Sequence, residues 1–300
     1  LWLRLMLRTS SMLVASLVIL APLAAEEIAP AAVDPPATGS EEGSGIATPP
    51  GRSRFWQRIT AYEPTYLLVE PFPGGGRNLN VKFQFSLAFQ LLGSPDAEPH
   101  PGDERANGLY GAFSQTSFWD LGAESEPFLD SSYRPELMWH HGFTPGLLGS
   151  DGLAIEGGVG HESNGKTAAD SRALNLVFIR PIVRWDLDDG WWIHLGPRFH
   201  TYISSLDDNP DIARFRGYAN LDASVGIRDG GMLMLRGRVG SEWDRGSLQA
   251  DVSYPLDRIS GGWVHGFAYV QGFFGWSESL VAYDQEVAQP RVLVGIAITR

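Results

Sequence analysis

The sequence predicts an all-β protein, a transmembrane antiparallel β-barrel of about 12 strands, on three observations. From about Tyr66 to Arg300 the chain is a succession of segments of alternating polarity separated by turns. Several of these segments reach the ~9–11 residues that a tilted strand needs to cross a bilayer. An N-terminal run has the form of a secretory leader, and nothing after it is apolar enough to read as a membrane helix.

Residues 1–25 carry Arg4 and Arg8, then a charge-free stretch from Thr9 to Ala25 with an apolar centre at Met12–Leu20 and small residues before Glu26. That order predicts a signal peptide. Residues 26–54 are rich in Pro, Ala, Gly and Ser with little to bury, and predict a disordered linker ahead of a barrel domain over 55–300. The first clear strand places Val81, Phe83, Phe85, Leu87, Phe89 and Leu91 on one face and Asn80, Lys82, Gln84, Ser86 and Gln90 on the other. Trp191, Ile193, Leu195 and Phe199 alternate with His194, Arg198 and His200 in the same way. So do Leu221, Ala223, Val225 and Ile227 with Asn220, Asp222 and Ser224, and Leu248, Ala250 and Val252 with Gln249, Asp251 and Ser253; Val292, Val294, Ile296 and Ile298 make the last. Tight turns such as Asp188-Asp189-Gly190 and Asp229-Gly230-Gly231 are set against longer polar loops over 93–107 and 206–211. The charge-free run from Ile259 to Ser277 is broken by glycines and suits a turn and a strand. Trp and Tyr, ten and nine in number, are expected in aromatic girdles at the membrane interfaces, with core packing as the alternative.

The formal net charge of −12 argues against nucleic acid as a partner. The absence of cysteine excludes a disulfide framework, a thiolate metal site and a lipidated N-terminal cysteine.

Chemistry concentrates in Gly160-His161-Glu162-Ser163-Asn164-Gly165, where an apolar segment runs into an Asn-Gly turn. Period two puts His161 and Ser163 on one face of a strand end, a base beside a hydroxyl nucleophile. Asn175 returns on the neighbouring strand, where its side chain accepts from the other imidazole nitrogen and fixes the tautomer. By spacing alone the pair also reads as two lumenal hydrogen-bonding residues before a hairpin turn.

The run His161-Glu162-Ser163-Asn164-Gly165-Lys166 with Asp170-Ser171-Arg172 and Asn175 resembles the active-site region of the outer-membrane phospholipase A family. So do 207–212 (Asp207-Asp208-Asn209-Pro210-Asp211-Ile212), 81–89, Pro127-Phe128 with Tyr133–Leu137, Ser253-Tyr254-Pro255 and Gly275–Leu280, all in consistent order from about Tyr66 onward. The resemblance implies a twelve-stranded barrel of the bacterial outer membrane whose triad faces outward toward lipid. It implies His161 as base, Ser163 as nucleophile, Asn175 as the orienting group and the Gly165 amide as oxyanion donor. The implied reaction is hydrolysis of phospholipid and lysophospholipid acyl esters, with both A1 and A2 activities, through an acyl-enzyme. Calcium is implied as cofactor in a homodimer, held by Ser125 of one subunit with Ser171 and the backbone carbonyl of Lys166 of the other, and Gln115 falls in the segment that makes a polar contact across that interface. The family commonly has Arg where this chain has Lys166, an exchange that a carbonyl ligand tolerates. The rival readings are a barrel lipid A deacylase, against which Asn175 and the strand count speak, and a non-catalytic pore.

Overall fold

The computed structural model describes residues 55–71, 80–94, 97–99, 105–125, 127–143, 146, 149–203 and 206–300; the expected signal peptide over 1–25 and linker over 26–54 lie outside the described residues. Fourteen strand segments follow one another along the chain. They are β1 (Ile59–Thr60), β2 (Thr65–Val69), β3 (Asn80–Leu92), β4 (Gly108–Asp120), β5 (Phe128–Phe143), β6 (Gly152–Ser163), β7 (Ala173–Asp186), β8 (Trp191–Leu195), β9 (Arg198–Tyr202), β10 (Ala219–Ile227), β11 (Met232–Val239), β12 (Gly246–Pro255), β13 (Phe267–Trp276) and β14 (Glu286–Thr299). All pairings are antiparallel, and β14 pairs with β2 while β3 pairs with both β2 and β4, so the sheet closes on itself. The segments β1 and β2 both pair with β3 and make one stave, and β8 and β9 both lie between β7 and β10 and make another. Fourteen segments therefore form twelve staves, the expected number. Closure leaves no unpaired edge, which a lipid-embedded sheet requires. No helix among the described residues is long and apolar enough to cross a membrane.

The pattern of burial is inverted relative to a water-soluble sandwich. On β3 the polar residues Lys82, Gln84, Ser86 and Gln90 are buried inside the barrel, whereas Phe85 and Leu91 are 47% and 48% exposed on its outer surface. The same inversion recurs around the sheet. Asp222, Asp251 and Gln271 are buried, and their strand neighbours Leu221, Val270 and Leu248 face outward. An apolar exterior and a polar interior is what a barrel solvated by lipid needs.

The lumen is packed with paired polar groups. The buried Glu156 of β6 accepts from Arg105 Nη1 at 3.1 Å and lies 3.2 Å from His140 Nδ1, with Arg180 3.5 Å away. Arg236 bonds Asp222 at 2.8 Å, Arg198 bonds Glu136 at 2.6 Å, and the Lys82 ammonium bonds Gln271 at 2.6 Å. Several tyrosines expected at the interfaces serve here instead: Tyr66 stacks on Tyr269 with both rings buried, and Tyr110 is buried beside His140. Their phenols tolerate a polar lumen, which is why they depart from the girdle, while Trp139, Trp191, Tyr133 and Tyr254 remain on the outside.

Between β1 and β2 the chain leaves the wall and crosses the bore. Tyr62 bonds Glu136 of β5 and accepts from Arg198 of β9 at 3.5 Å, and its ring lies under the Arg105 guanidinium. Glu63 pairs with Arg134 of β5 and lies 3.8 Å from Arg236 of β11, while its amide donates to Ser86 at 3.0 Å. The carbonyls of Ala61 and Pro64 accept from Arg105 at 2.9 Å and from Gln84 at 2.8 Å. This segment is a crossbar that joins staves far apart around the wall.

Two rims follow from the alternation of strands. The connections after β4, β6, β9, β11 and β13 share one rim, and β2 begins beside the end of β14 at the other. The short turns at 187–190 and 228–231 fall on this second rim, and so does the long connection over 93–107, so loop length alone does not sort the two ends. The run from Ile259 to Ser277 divides as expected into a turn and a strand, with one short helical turn at Leu256–Ser260 leading in.

Candidate active site

The strand β6 ends at the first rim because Asn164 and Gly165 turn the chain, with Gly165 at φ +66°, a conformation that favours glycine. In the β6–β7 ladder His161 stands opposite Asn175 and Ser163 opposite Ala173, and on the other side Ser163 stands opposite Tyr133 of β5. The alternation that sends Glu156 and Glu162 into the lumen sends His161, Ser163 and Asn175 outward, between Val159, 46% exposed, and the rim. Three polar side chains thus share one stretch of the outer face.

His161 Nδ1 lies 2.8 Å from Asn175 Oδ1. An amide oxygen only accepts, so Nδ1 carries the proton and Nε2 presents its lone pair, the tautomer a general base needs. Ser163 lies two residues along the same face. No hydrogen bond joins its hydroxyl to the ring, so the structure brings together His161 and Asn175 and places Ser163 on the same face without joining it to them.

The lumenal side of the same strand braces the site, and spacing had not singled it out. Glu162, between the two outward residues, accepts from Ser132 at 2.7 Å and from Arg216 at 2.9 Å. Gly160 leaves space behind His161 that Glu136 fills, since a Cβ there would come within 3.1 Å of its carboxylate oxygen. The signal was present in the alternation of His161-Glu162-Ser163, which puts a carboxylate behind the two outward residues and demands an inward partner.

The loop from 164 to 172 is tied at both ends. The buried Asn164 accepts on Oδ1 from the amides of Lys166 at 3.3 Å and Arg172 at 3.0 Å, donates from Nδ2 to the Asp170 carbonyl at 2.7 Å, and its own amide donates to the Arg172 carbonyl at 3.1 Å. A second loop docks beside it: Ser171 Oγ donates to Asp208 at 2.9 Å and the buried Asn209 accepts from the Ala173 amide at 3.1 Å. Leu174, Ile212, Phe215, Leu280 and Tyr283 form an apolar cluster under both loops. Burial first, then the hydrogen bond to Asp211, push the Tyr283 phenol well up, so it stays a donor there at 2.6 Å.

The expected calcium ligands are divided. Ser171 and Lys166 belong to this one braced loop, and the Lys166 ammonium is itself occupied by the Leu129 carbonyl at 2.7 Å, leaving its backbone carbonyl as the relevant donor. Ser125 lies on the same rim in the turn after β4, exposed, at φ +67°, with no hydrogen bond to either of them among the described residues. Among the described residues no three His, Asp or Glu side chains are grouped to hold a metal. The candidate donors are hydroxyl and carbonyl oxygens, which suit a hard cation such as Ca²⁺; Ser171 and the Lys166 carbonyl of one chain with Ser125 of a second fall short of the 6–8 oxygens it takes, and water would make up the rest. Gln115 is on the outer face of β4, opposite Phe85 and Tyr133, and donates to Ser117 at 3.2 Å. It is a lipid-side glutamine, not a lumenal one.

A family profile described as Phospholipase A1 matches residues 53–298. Phospholipase A1 of Klebsiella pneumoniae is 33% identical over 225 residues, covering 74% of this chain and 71% of its own length, and that of Escherichia coli K12 is 30% identical over 74% and 70%. Among solved structures, the outer membrane phospholipase A from Escherichia coli superposes with a TM-score of 0.65 at 26% identity, covering 86% of this chain and 93% of that one. A Salmonella typhi outer membrane phospholipase, solved as a dimer with bound calcium, gives 0.63 at 28% identity over 80% and 91%. A further similar structure is an asparagine-to-alanine variant of the Escherichia coli protein described as an active-site mutant.

Proposed function

The chain belongs to the phospholipase A1 family, the outer-membrane phospholipases A, and from that premise we propose that it is a calcium-dependent phospholipase of the bacterial outer membrane that uses Ser163, His161 and Asn175 as its triad. The observation that carries the reading is the 2.8 Å contact between His161 and Asn175 on the lipid-facing side of β6 and β7, one residue pair below Ser163. A site on the outer wall is reached by a phospholipid moving sideways within its leaflet, without leaving the membrane.

In the proposed reaction Ser163 Oγ attacks the ester carbonyl as His161 Nε2 takes its proton. The backbone amide of Gly165 donates to the oxyanion that develops. Collapse of that intermediate breaks the ester bond, the imidazolium returns its proton to the departing lysophospholipid oxygen, and the acyl group remains on Ser163. Water deprotonated by His161 then releases the fatty acid. Attack at either glycerol position requires only that the ester carbonyl reach Ser163, which supports A1 and A2 activities and action on lysophospholipid. Asn175 holds the ring, and as a neutral group it lends less charge to the imidazolium than a carboxylate would. Asn175→Ala should therefore lower kcat by roughly 10²-fold, less than removal of His161, with KM little changed, as measured on a soluble thioester substrate in detergent.

The Lys166 carbonyl, Ser171 and Ser125 of a second copy are the proposed calcium ligands, and the bound cation supplies positive charge beside the reacting ester. A homodimer also gives Gln115, on the outer face of β4, a polar surface that lipid withholds. Chelation should lower activity by on the order of 10²-fold, similar to loss of an oxyanion donor, and should reduce cross-linked dimer in parallel. Full activity of a monomer in excess chelator would remove the dimer and the metal from the mechanism and leave the triad in place. The pore reading has no support in a lumen filled by the Ala61–Pro64 crossbar and its ion pairs.

A further inference from the structure

We propose that Asn164 is the positioning residue of the hydrolytic site, its buried carboxamide holding the 165–172 loop in the shape that aims the Gly165 amide and the Lys166 carbonyl. The inference rests on the Ser163 reading above. Asn164 is 4% exposed, yet every hydrogen bond its side chain makes goes to backbone of the loop that follows it. Oδ1 collects the amide of Lys166 near the start of the loop and that of Arg172 at its end, and Nδ2 reaches the Asp170 carbonyl between them. One planar group thereby fixes the distance between the two ends of the loop.

Arg172 adds bonds at the far end, donating to the Ala169 carbonyl at 2.9 Å and the Ser171 carbonyl at 2.7 Å, but only Asn164 reaches from the strand end to both ends of the loop. Gly165, Thr167, Ala169 and Asp170 are exposed, so the loop buries almost no apolar surface of its own. Gly165 holds φ +66°, and glycine left unconstrained samples both signs of φ, so the direction of its N–H depends on restraint by its neighbours. The carboxamide that restrains them belongs to the residue just before it, Asn164. Ser171, tied outward to Asp208, and Ala173, tied to Asn209, hold the far end against the second loop, which makes Asn164 the hinge pin between the strand that bears Ser163 and that fixed end. An oxyanion donor works only if it is aimed before the charge appears.

The test is a comparison of Asn164→Ala and Asn164→Asp with the parent enzyme, each as the full chain folded in detergent with calcium. Asn164→Ala should lower kcat by roughly 10–100-fold at nearly constant KM, the loss expected for a mis-aimed donor. Asn164→Asp keeps the acceptor for both amides but sets a charged oxygen against the Asp170 carbonyl, so its kcat should fall between those of the parent and Asn164→Ala. Amide hydrogen exchange gives the independent readout: protection at Lys166 and Arg172 should be lost in Asn164→Ala, kept in Asn164→Asp, and unchanged in the β6–β7 ladder of both. If Asn164→Ala fails to fold, Asn164→Asp alone decides, and exposed Lys166 and Arg172 amides in it overturn the assignment. A kcat loss with those amides still protected, or one matched by a lowered barrel melting temperature, also overturns it. Ser163→Ala run in parallel separates this from failure of the functional reading, since an active Ser163→Ala removes the serine mechanism while the amide protections still report on Asn164.

Discussion

Ser163→Ala should lower phospholipid hydrolysis by about 10⁴-fold or more while the protein folds as before, the largest loss expected of any single change here. The hydroxyl is on the outer face of a strand end, half-buried, and joined to no other side chain, so its removal costs little packing. His161→Ala should cost nearly as much, and the double variant hardly more than either alone, because base and nucleophile act as a unit. Folding is checked by the difference in gel migration between unheated and boiled protein in detergent. An Ser163→Ala protein that kept most of its activity would move the nucleophile elsewhere.

Glu156→Ala should destabilise the barrel by about 3–5 kcal/mol, the cost of leaving buried partner charges uncompensated. Glu156 is fully buried, and Arg105, His140 and Arg180 all converge on its carboxylate. Arg105 also ties the Ala61 carbonyl, so the loss reaches the crossbar. Glu156→Gln keeps an acceptor oxygen and should cost less. Denaturant unfolding in detergent micelles, followed by tryptophan fluorescence, reads both, and a Glu156→Ala midpoint equal to that of the parent would show the cluster to be solvated. Neither variant touches the outer face, so activity per folded molecule should be retained.

Alternation was legible within one strand, as in Lys82, Gln84, Ser86 and Gln90 against Phe83, Phe85 and Leu87, but it suits a soluble sandwich equally, and the barrel followed only from strand length, the pattern of turns and the leader-like N-terminal run. The His161–Asn175 pairing was legible because the two residues lie equally far from the ends of neighbouring strands, so the antiparallel register sets them opposite each other. What escaped was non-local. Nothing in the spacing of Tyr62 and Glu63 connects them to Glu136, Arg134 or Arg236 across the bore, and nothing in Asp208 or Asn209 announces Ser171 and Ala173 as their partners. The stave formed by β8 and β9 read as one strand because its polarity stays in phase across Gly196 and Pro197, where the hydrogen-bonded ladder is interrupted. Burial of Tyr66, Tyr110 and Tyr269 in the lumen was hidden because tyrosine is suited equally to an interface and to a polar core.

The crossbar between β1 and β2 bears on the order in which the molecule can be assembled. Its residues precede the rest of the wall in the chain, yet Tyr62 waits for Arg198 and Glu63 for Arg236, groups that lie well over a hundred residues later, and β2 waits longer still for β14. A wall cut before β11 would leave Glu63 and Asp222 without Arg236, the cation they share, in a medium that solvates charge poorly. Closing the seam and filling the bore are therefore one event, and a truncated chain ending before β11 has no stable resting point on the way. Such chains should be digested by protease throughout, where the complete chain is either wholly resistant or wholly cut.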